Sequence, residues 1–240
     1  MTRTGRPTLV IAHRGASAYR PENTLPAYAL AVEQAADMIE IDLHVSADGA
    51  VVVAHDELLG ALGGRGEIAD ASLAELQALD AGQGERIPTL DEVLDRFGSQ
   101  IPFNLELKRG VHAEYRDLEA KALEAVVRRG LLERTLFSSF FDRVLERLRT
   151  LSPEARIALL VSRRHPKGAL ARAARLGAEA INPERSLAGR GLIDQAHAAG
   201  LDVHVFTVDR EAGLRHFLGL GVDGIFTNTP DRLRRLLPRP

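Results

Sequence analysis

Short apolar runs recur along this chain, and their spacing indicates the order of its secondary structure. The first three runs, Leu9–Ala12, Met38–Val45 and Val51–Ala54, are predicted to be strands, with a helix over Leu25–Ala36 between the first two. The connection between the last two contains Asp48-Gly49 and is shorter than the crossover of about a dozen residues that parallel strands need. We therefore predict that the second and third strands form an antiparallel hairpin.

The segment after this hairpin is less regular. Gly60–Gly66 is rich in glycine and predicts an irregular loop. Two capping-box patterns follow, in each of which a Ser or Thr precedes a Glu by three residues. They predict helices that begin after Ser72 and Thr89 and end near Leu79 and Gly98.

From about residue 100 onward, apolar runs alternate with amphipathic segments, as is typical of a parallel α/β protein. The predicted strands are Pro102–Leu107, Thr135–Ser138, Arg156–Val161, Glu179–Asn182, Val203–Val208 and Gly224–Thr227. The predicted helices are Glu114–Arg129, Phe141–Leu148, Gly168–Leu176, Leu192–Ala199, Glu211–Leu220 and a last one opened by Pro230. Left-handed glycines are predicted just past four of these helices, at Gly130, Gly177, Gly200 and Gly221.

With the hairpin strand set aside, the chain has eight predicted parallel strands. Eight strands alternating with helices most simply close into a TIM (β/α)8 barrel, here with a β-hairpin after strand two. An open, doubly wound sheet is the alternative topology. The length of 240 residues (26.1 kDa) suits one barrel domain spanning residues 1–240.

Composition narrows the class of function. The chain is 45% hydrophobic and 27% charged, and its net charge of -2 argues against nucleic-acid recognition through a basic field. No apolar run approaches the ~20 residues of a membrane-spanning helix, and the N-terminus lacks the apolar region of a signal peptide. We therefore expect a cytoplasmic protein without stable membrane insertion. The absence of cysteine excludes disulfides and thiol catalysis.

Acidic residues lie on two of the predicted barrel strands, towards the ends where barrel active sites are found. Glu40 and Asp42 share one face of the second strand, and Glu106 lies on the next parallel strand. A cluster of oxygen ligands alone is typical of Mg²⁺, Ca²⁺ or Mn²⁺ sites. The alternative is that Arg14 and Lys108 neutralise these acids as structural ion pairs.

Two histidines flank this acidic cluster, since His13 ends the first strand and His55 follows the hairpin. They are open to two interpretations, as zinc or iron ligands together with a carboxylate, or as a general acid and a general base, and we favour the second. Arg14 and Lys108 suit a phosphate group, one through its forked donors and the other as a point charge. His44 is interpreted as a surface residue of the hairpin, out of phase with the acid pair.

These residues resemble the signature of the glycerophosphodiester phosphodiesterase family. The matching motifs cover nearly the whole chain and are His13-Arg14-Gly15, Pro21-Glu22-Asn23-Thr24, Glu40-x-Asp42, Asp48-Gly49, His55-Asp56, Glu106-x-Lys108, Ser138-Ser139-Phe140 and Gly221-Val222-Asp223-Gly224-Ile225-Phe226-Thr227-Asn228-x-Pro230-Asp231. The resemblance implies a TIM barrel with a small insertion after the His55 strand, at about residues 56–88. It also implies one divalent metal ion (Mg²⁺, Ca²⁺ or Mn²⁺) on Glu40, Asp42 and Glu106, with His13 and His55 as acid and base.

The resemblance further implies metal-dependent hydrolysis of glycerophosphodiesters, small molecules that would yield sn-glycerol 3-phosphate and an alcohol. Two departures concern the alcohol end: Glu57-Leu58-Leu59 replaces the family's usual segment after His55-Asp56, and Phe206 stands where a tryptophan is frequent. Phe206 is therefore expected beside the substrate. The alternatives are a lysophospholipase D that acts on lysolipids and a non-catalytic barrel that binds phosphate esters. No pattern indicates an oligomeric state.

Overall fold

A closed parallel barrel forms the framework of this computed structural model, which describes residues 2, 5, 7–112 and 114–237. Within those residues eight parallel strands alternate with helices, and one further strand, β3, pairs antiparallel with β2. The strands are β1 (Leu9–His13), β2 (Met38–Val45), β3 (Val51–Val53), β4 (Phe103–Leu107), β5 (Thr135–Ser139), β6 (Arg156–Val161), β7 (Ala180–Pro183), β8 (Asp202–Val205) and β9 (Gly224–Thr227).

Closure of the barrel is set by β1, which pairs in parallel with both β9 and β2. Leu9 is in register with Gly224 of β9, and Ile11 is in register with Met38 of β2. The TIM-barrel prediction is therefore confirmed, and the open-sheet alternative is wrong. The predicted hairpin is also confirmed, with Leu43 opposite Val53.

Helices cover the outside of the barrel. They are α1 (Leu25–Glu33), α2 (Leu73–Gln77), α3 (Leu90–Phe97), α4 (Leu118–Val127), α5 (Asp142–Leu151), α6 (Ala169–Leu176), α7 (Arg190–Ala198), α8 (Glu211–Leu220) and α9 (Pro230–Leu236). Both predicted capping boxes are formed, at Ser72 of α2 and at Thr89 of α3. The four glycines predicted past helix ends all have left-handed backbones. Among the described residues no helix has the length and apolar character needed to cross a bilayer.

Several boundaries differ from the sequence prediction. The strand predicted to reach Val208 ends at Val205, and beyond it Phe206 forms only an isolated bridge with Glu184. The helix predicted from Glu114 begins only at Leu118. The segment predicted as an irregular loop contains a short 3-10 helix over Leu59–Leu62.

The apolar side chains form separate clusters. The largest lies between the strands and the surrounding helices, and a smaller one fills the barrel below the polar residues of β2 and β4. A third cluster lies outside the barrel, under residues 57–87, and consists of Val52, Ala54, Leu59, Ile68, Leu76 and Ile87. The apolar layer inside the barrel leaves the carboxyl ends of the strands for polar groups, which is where the candidate site lies.

Candidate active site

The three acids singled out from the sequence converge at the carboxyl end of the barrel. The register between β2 and β4 places Asp42 opposite Glu106, and the register between β1 and β2 places Glu40 opposite His13. One carboxylate oxygen from each acid lies within 4.8 Å of the others. All three residues are buried, with exposures of 8% or less. Strand register therefore explains why residues 64 positions apart meet at one point.

Burial strongly affects how these acids ionise. It raises the pKa of Glu106 to about 7, although Lys108 partly offsets the shift. It also raises the pKa of Glu40 well above its usual range, with the charge on Asp42 adding to the effect. Burial opposes the ionisation of Asp42 too, but Lys108 and Arg14 hold the pKa of Asp42 well below its usual value. The cluster thus has three acids against two adjacent cations, and the raised pKa values mean that Glu40 and Glu106 hold their protons to a higher pH than exposed glutamates do.

The two cations lie directly against the acids. Lys108 Nζ is 2.8 Å from Asp42 Oδ1 and 2.7 Å from Glu106 Oε1. Arg14 Nε is 3.2 Å from Asp42 Oδ2, and its Nη1 donates to both carboxylate oxygens of Glu22. These are the ion pairs of the structural alternative. Each cation is 15% exposed, so both also face the cleft above the cluster.

His13 is held by a chain of hydrogen bonds from the last barrel strand. Its Nδ1 lies 2.8 Å from Oδ1 of Asn228, whose Nδ2 donates to Asp209. Because that carboxylate only accepts, the amide oxygen of Asn228 must face the histidine, and His13 Nδ1 must carry the proton. The other ring nitrogen, Nε2, lies 4.0 Å from Glu40 Oε2. Burial lowers the pKa of His13 to about 4.

His55 approaches the same cleft from the hairpin. Its Nδ1 lies 2.6 Å from Oδ1 of Asp56, and its side chain is 36% exposed. Burial, followed by the charge on Lys108, lowers the pKa of His55. Both predicted histidines thus line one cleft with Glu40.

His44 is not a surface residue, and that prediction was wrong. It lies two residues after Asp42, so it shares the face of the acid pair and is completely buried. Its Nδ1 is 2.8 Å from the hydroxyl of Tyr115, and its Nε2 is 3.3 Å from the backbone oxygen of His55. His44 therefore supports the backbone that carries His55.

Three phenylalanines form the apolar wall of the cleft, which encloses about 240 Å³. Phe206 packs edge to face on Phe140 and on Phe226, with ring centroids 6.0 and 6.3 Å apart. The structure thus places Phe206 in the cleft. The sequence analysis did not assign Phe140 or Phe226 to it, although both belong to motifs that carry the family resemblance.

Several polar supports of the site were also missed. Asn23, which has a left-handed backbone (φ = 57°), donates from Nδ2 to Asp42 Oδ2 and accepts from the hydroxyl of Tyr28. Asn228 and Asp209 support His13 as described above. One signal for Asn228 was available, because it directly follows a predicted barrel strand.

Comparison with known proteins gives a consistent result. The profile of the glycerophosphoryl diester phosphodiesterase family matches residues 13–232. The chain is 35% identical to a glycerophosphodiester phosphodiesterase of Caldanaerobacter subterraneus, over 96% of this chain and 98% of the relative. A glycerophosphodiester phosphodiesterase structure from Agrobacterium tumefaciens superposes with a TM-score of 0.82 at 31% identity, covering 95% of this chain and 99% of the other. A phosphodiesterase from Oleispira antarctica, solved with the product sn-glycerol-3-phosphate, gives a TM-score of 0.82 at 32% identity and 98% coverage of both chains.

Proposed function

Because this chain belongs to the glycerophosphoryl diester phosphodiesterase family and is a phosphoric diester hydrolase, we propose how its own residues perform the reaction. The substrate is a glycerophosphodiester, and the products are sn-glycerol 3-phosphate and an alcohol. Two histidines would carry the protons of the hydrolysis, and three acids would hold one divalent metal ion. The product bound in the Oleispira antarctica relative supports this choice of products.

The acidic cluster fits a divalent cation. Glu40, Asp42 and Glu106 supply oxygen ligands only, the set that Mg²⁺, Ca²⁺ and Mn²⁺ prefer. Burial raises the pKa values of Glu40 and Glu106 because their charged forms are poorly solvated there, and a bound cation would stabilise the ionised carboxylates. Such an ion would polarise a phosphate oxygen and lower the pKa of a nearby hydroxyl group.

His13 and His55 are the proposed proton carriers. Each has its Nδ1 engaged by a fixed partner, Asn228 for His13 and Asp56 for His55, so each ring is oriented with Nε2 as the atom available for proton transfer. One histidine removes the proton of the attacking hydroxyl group, and the other protonates the leaving alkoxide. The support for this assignment is that both line one cleft beside the acids.

Arg14 and Lys108 are proposed to bind the phosphate. Both face the cleft as well as the acids, and a cation on the acids would relieve these two side chains of part of their neutralising role. Charge-assisted hydrogen bonds from both would strengthen as charge develops on the phosphate oxygens. A glycerol hydroxyl is a suitable nucleophile because it is already tethered to the phosphate. Its attack would expel the alcohol and form a cyclic phosphate, which water would then open to sn-glycerol 3-phosphate. Direct attack by water would give the same products in one step.

The observation that carries the proposal is the convergence of the three acids, the two histidines and the two cations in one cleft. The experiment measures release of glycerol 3-phosphate from glycerophosphocholine and glycerophosphoethanolamine, first in excess chelator and then with Mg²⁺, Ca²⁺ or Mn²⁺ restored. We expect no turnover in chelator and recovery with at least one metal. Full activity in chelator would refute the metal role. A parallel assay with lysophosphatidylcholine tests the lysophospholipase D alternative, which predicts that this lysolipid is cleaved.

A further inference from the structure

A second cavity of about 500 Å³ adjoins the catalytic cleft. We call it the side pocket; the loops that follow β5 and β6 form most of it, at residues 140–143 and 164–167. Phe140 lines both the side pocket and the cleft, where it packs on Phe206. A substrate with its phosphate in the cleft therefore has space for its alcohol portion beyond Phe140.

The acids of the side pocket are already paired. Asp142 is bound by Arg172 and by Arg175, at 2.5 and 2.6 Å. Glu114 is bound by Arg147 at 2.5 Å. The negative charge in this pocket is therefore matched by neighbouring arginines and is not available for a cationic ligand.

Three cations of the side pocket have no such partner. Among the described residues, no acid lies within ion-pair distance of Arg143, Arg164 or Lys167, and all three are exposed. Arg163, the neighbour of Arg164, differs because it pairs with Glu184 and does not line the pocket. The side pocket thus carries an uncompensated positive charge, and such a field concentrates anions.

The aromatic groups of the pocket do not favour a cationic alcohol. A quaternary ammonium such as choline is usually bound over an aromatic face. Here the guanidinium of Arg109 already lies over the ring of Phe141, with its carbon 4.5 Å from the ring centroid. A second cation would meet this group as well as the three unpaired ones.

We propose that the side pocket binds the alcohol portion of the substrate and selects alcohols that carry their own anionic group, such as a phosphate. This inference rests on the proposed hydrolysis of glycerophosphodiesters. The cations are exposed and salt screens their field over about 8 Å at physiological ionic strength, so the preference is expected to be largest at low salt.

Three diesters that differ only at the alcohol end test the inference. They are glycerophosphocholine, glycerophosphoglycerol and glycerophosphoglycerol with a phosphate on its distal hydroxyl, each followed by loss of the diester phosphorus signal in metal-loaded enzyme. At low salt we expect kcat/KM for the phosphorylated alcohol to exceed that for the neutral one by about tenfold, mainly through KM, with choline last. The double variant R164Q/K167Q should bring this ratio close to one. The matched control Arg163→Gln should keep the parent ratio.

The outcomes distinguish failure of the side-pocket assignment from failure of the proposed function on which it rests. A parent ratio of one or less, or a ratio unchanged in R164Q/K167Q, would overturn the side-pocket assignment while leaving the hydrolysis established. If none of the three diesters is cleaved with any of the divalent metals, the proposed function fails and the assignment fails with it. A ratio that declines as salt is added supports the electrostatic origin, and one that does not change with salt contradicts it.

Discussion

The variant Glu106→Gln tests whether the buried carboxyl group of Glu106 binds a proton near neutral pH in the metal-free site. Burial raises the pKa of Glu106 from 4.5 to about 7, so the folded protein holds this proton more tightly than the unfolded chain does. The contribution of this group to stability is complete below pH 4.5. It is lost as the pH rises through about 7, because folding then requires either a buried charge or a bound proton.

The size of the effect follows from the shift. Each unit of change in pKa is worth about 1.36 kcal/mol. The shift of Glu106 therefore corresponds to a loss of about 3 kcal/mol in the free energy of unfolding between pH 4.5 and pH 8. The glutamine variant has no such proton to lose. Between pH 4.5 and pH 8 its free energy of unfolding should therefore fall by about 3 kcal/mol less than that of the parent. Glu40 titrates in the same direction in both proteins, but the charge on Glu106 contributes to the raised pKa of Glu40, so the difference between the two proteins includes this interaction.

Urea denaturation in excess chelator, at half-unit steps from pH 4.5 to pH 8, measures this difference. Adding the divalent metal that restores activity should remove most of the pH dependence of the parent protein, because the ion takes over the neutralisation. The raised pKa of Glu106 is refuted if the parent and Glu106→Gln lose stability in parallel. It is also refuted if the parent gains stability relative to the variant as the pH rises.

Four further changes test the assigned roles. His13→Ala and His55→Ala should each lower kcat by roughly 10²–10⁴-fold with metal affinity unchanged in calorimetry, whereas a loss of metal binding would make that histidine a ligand. Lys108→Met keeps most of the side-chain volume and should lower kcat/KM by at least about tenfold in the metal-loaded protein, and normal turnover would leave the lysine a structural role only. Asp209→Asn leaves one acceptor oxygen in place of two, so it can no longer accept from both the backbone N–H and Nδ2 of Asn228, and it should lower kcat by about tenfold at unchanged KM; parent kcat would show that His13 needs no such support.

The sequence predicted the positions of side chains correctly where strand periodicity and the order of elements along the chain determine them. Glu40, Asp42 and Glu106 share faces of adjacent parallel strands, so their convergence follows from alternation and from the ends where barrel sites lie. The capping boxes at Ser72 and Thr89 were equally local, since the residues that bond are three positions apart.

Contacts between distant loops could not be predicted in this way. Asn228 reaches His13 across 215 positions, and Tyr115 reaches His44 from a loop before α4 that was predicted to be the start of that helix. The burial of His44 was predictable from its spacing to Asp42, and the error lay in assigning it to the wrong face. The ion pairs of Arg14 and Lys108 depend on all the charges that meet in the folded cluster. Sequence motifs alone do not give these charges.

The separate apolar cluster beneath residues 57–87 has a consequence for motion. Adjacent residues of β3 belong to different cores, since Val53 packs with the barrel and Val52 with this outer cluster. A unit with its own small core can open without unfolding the rest of the protein, and its amide hydrogens then exchange sooner than those of the barrel strands. His55 stands where the two units join. Opening of this outer unit would therefore move His55 away from the acids while the barrel stays folded.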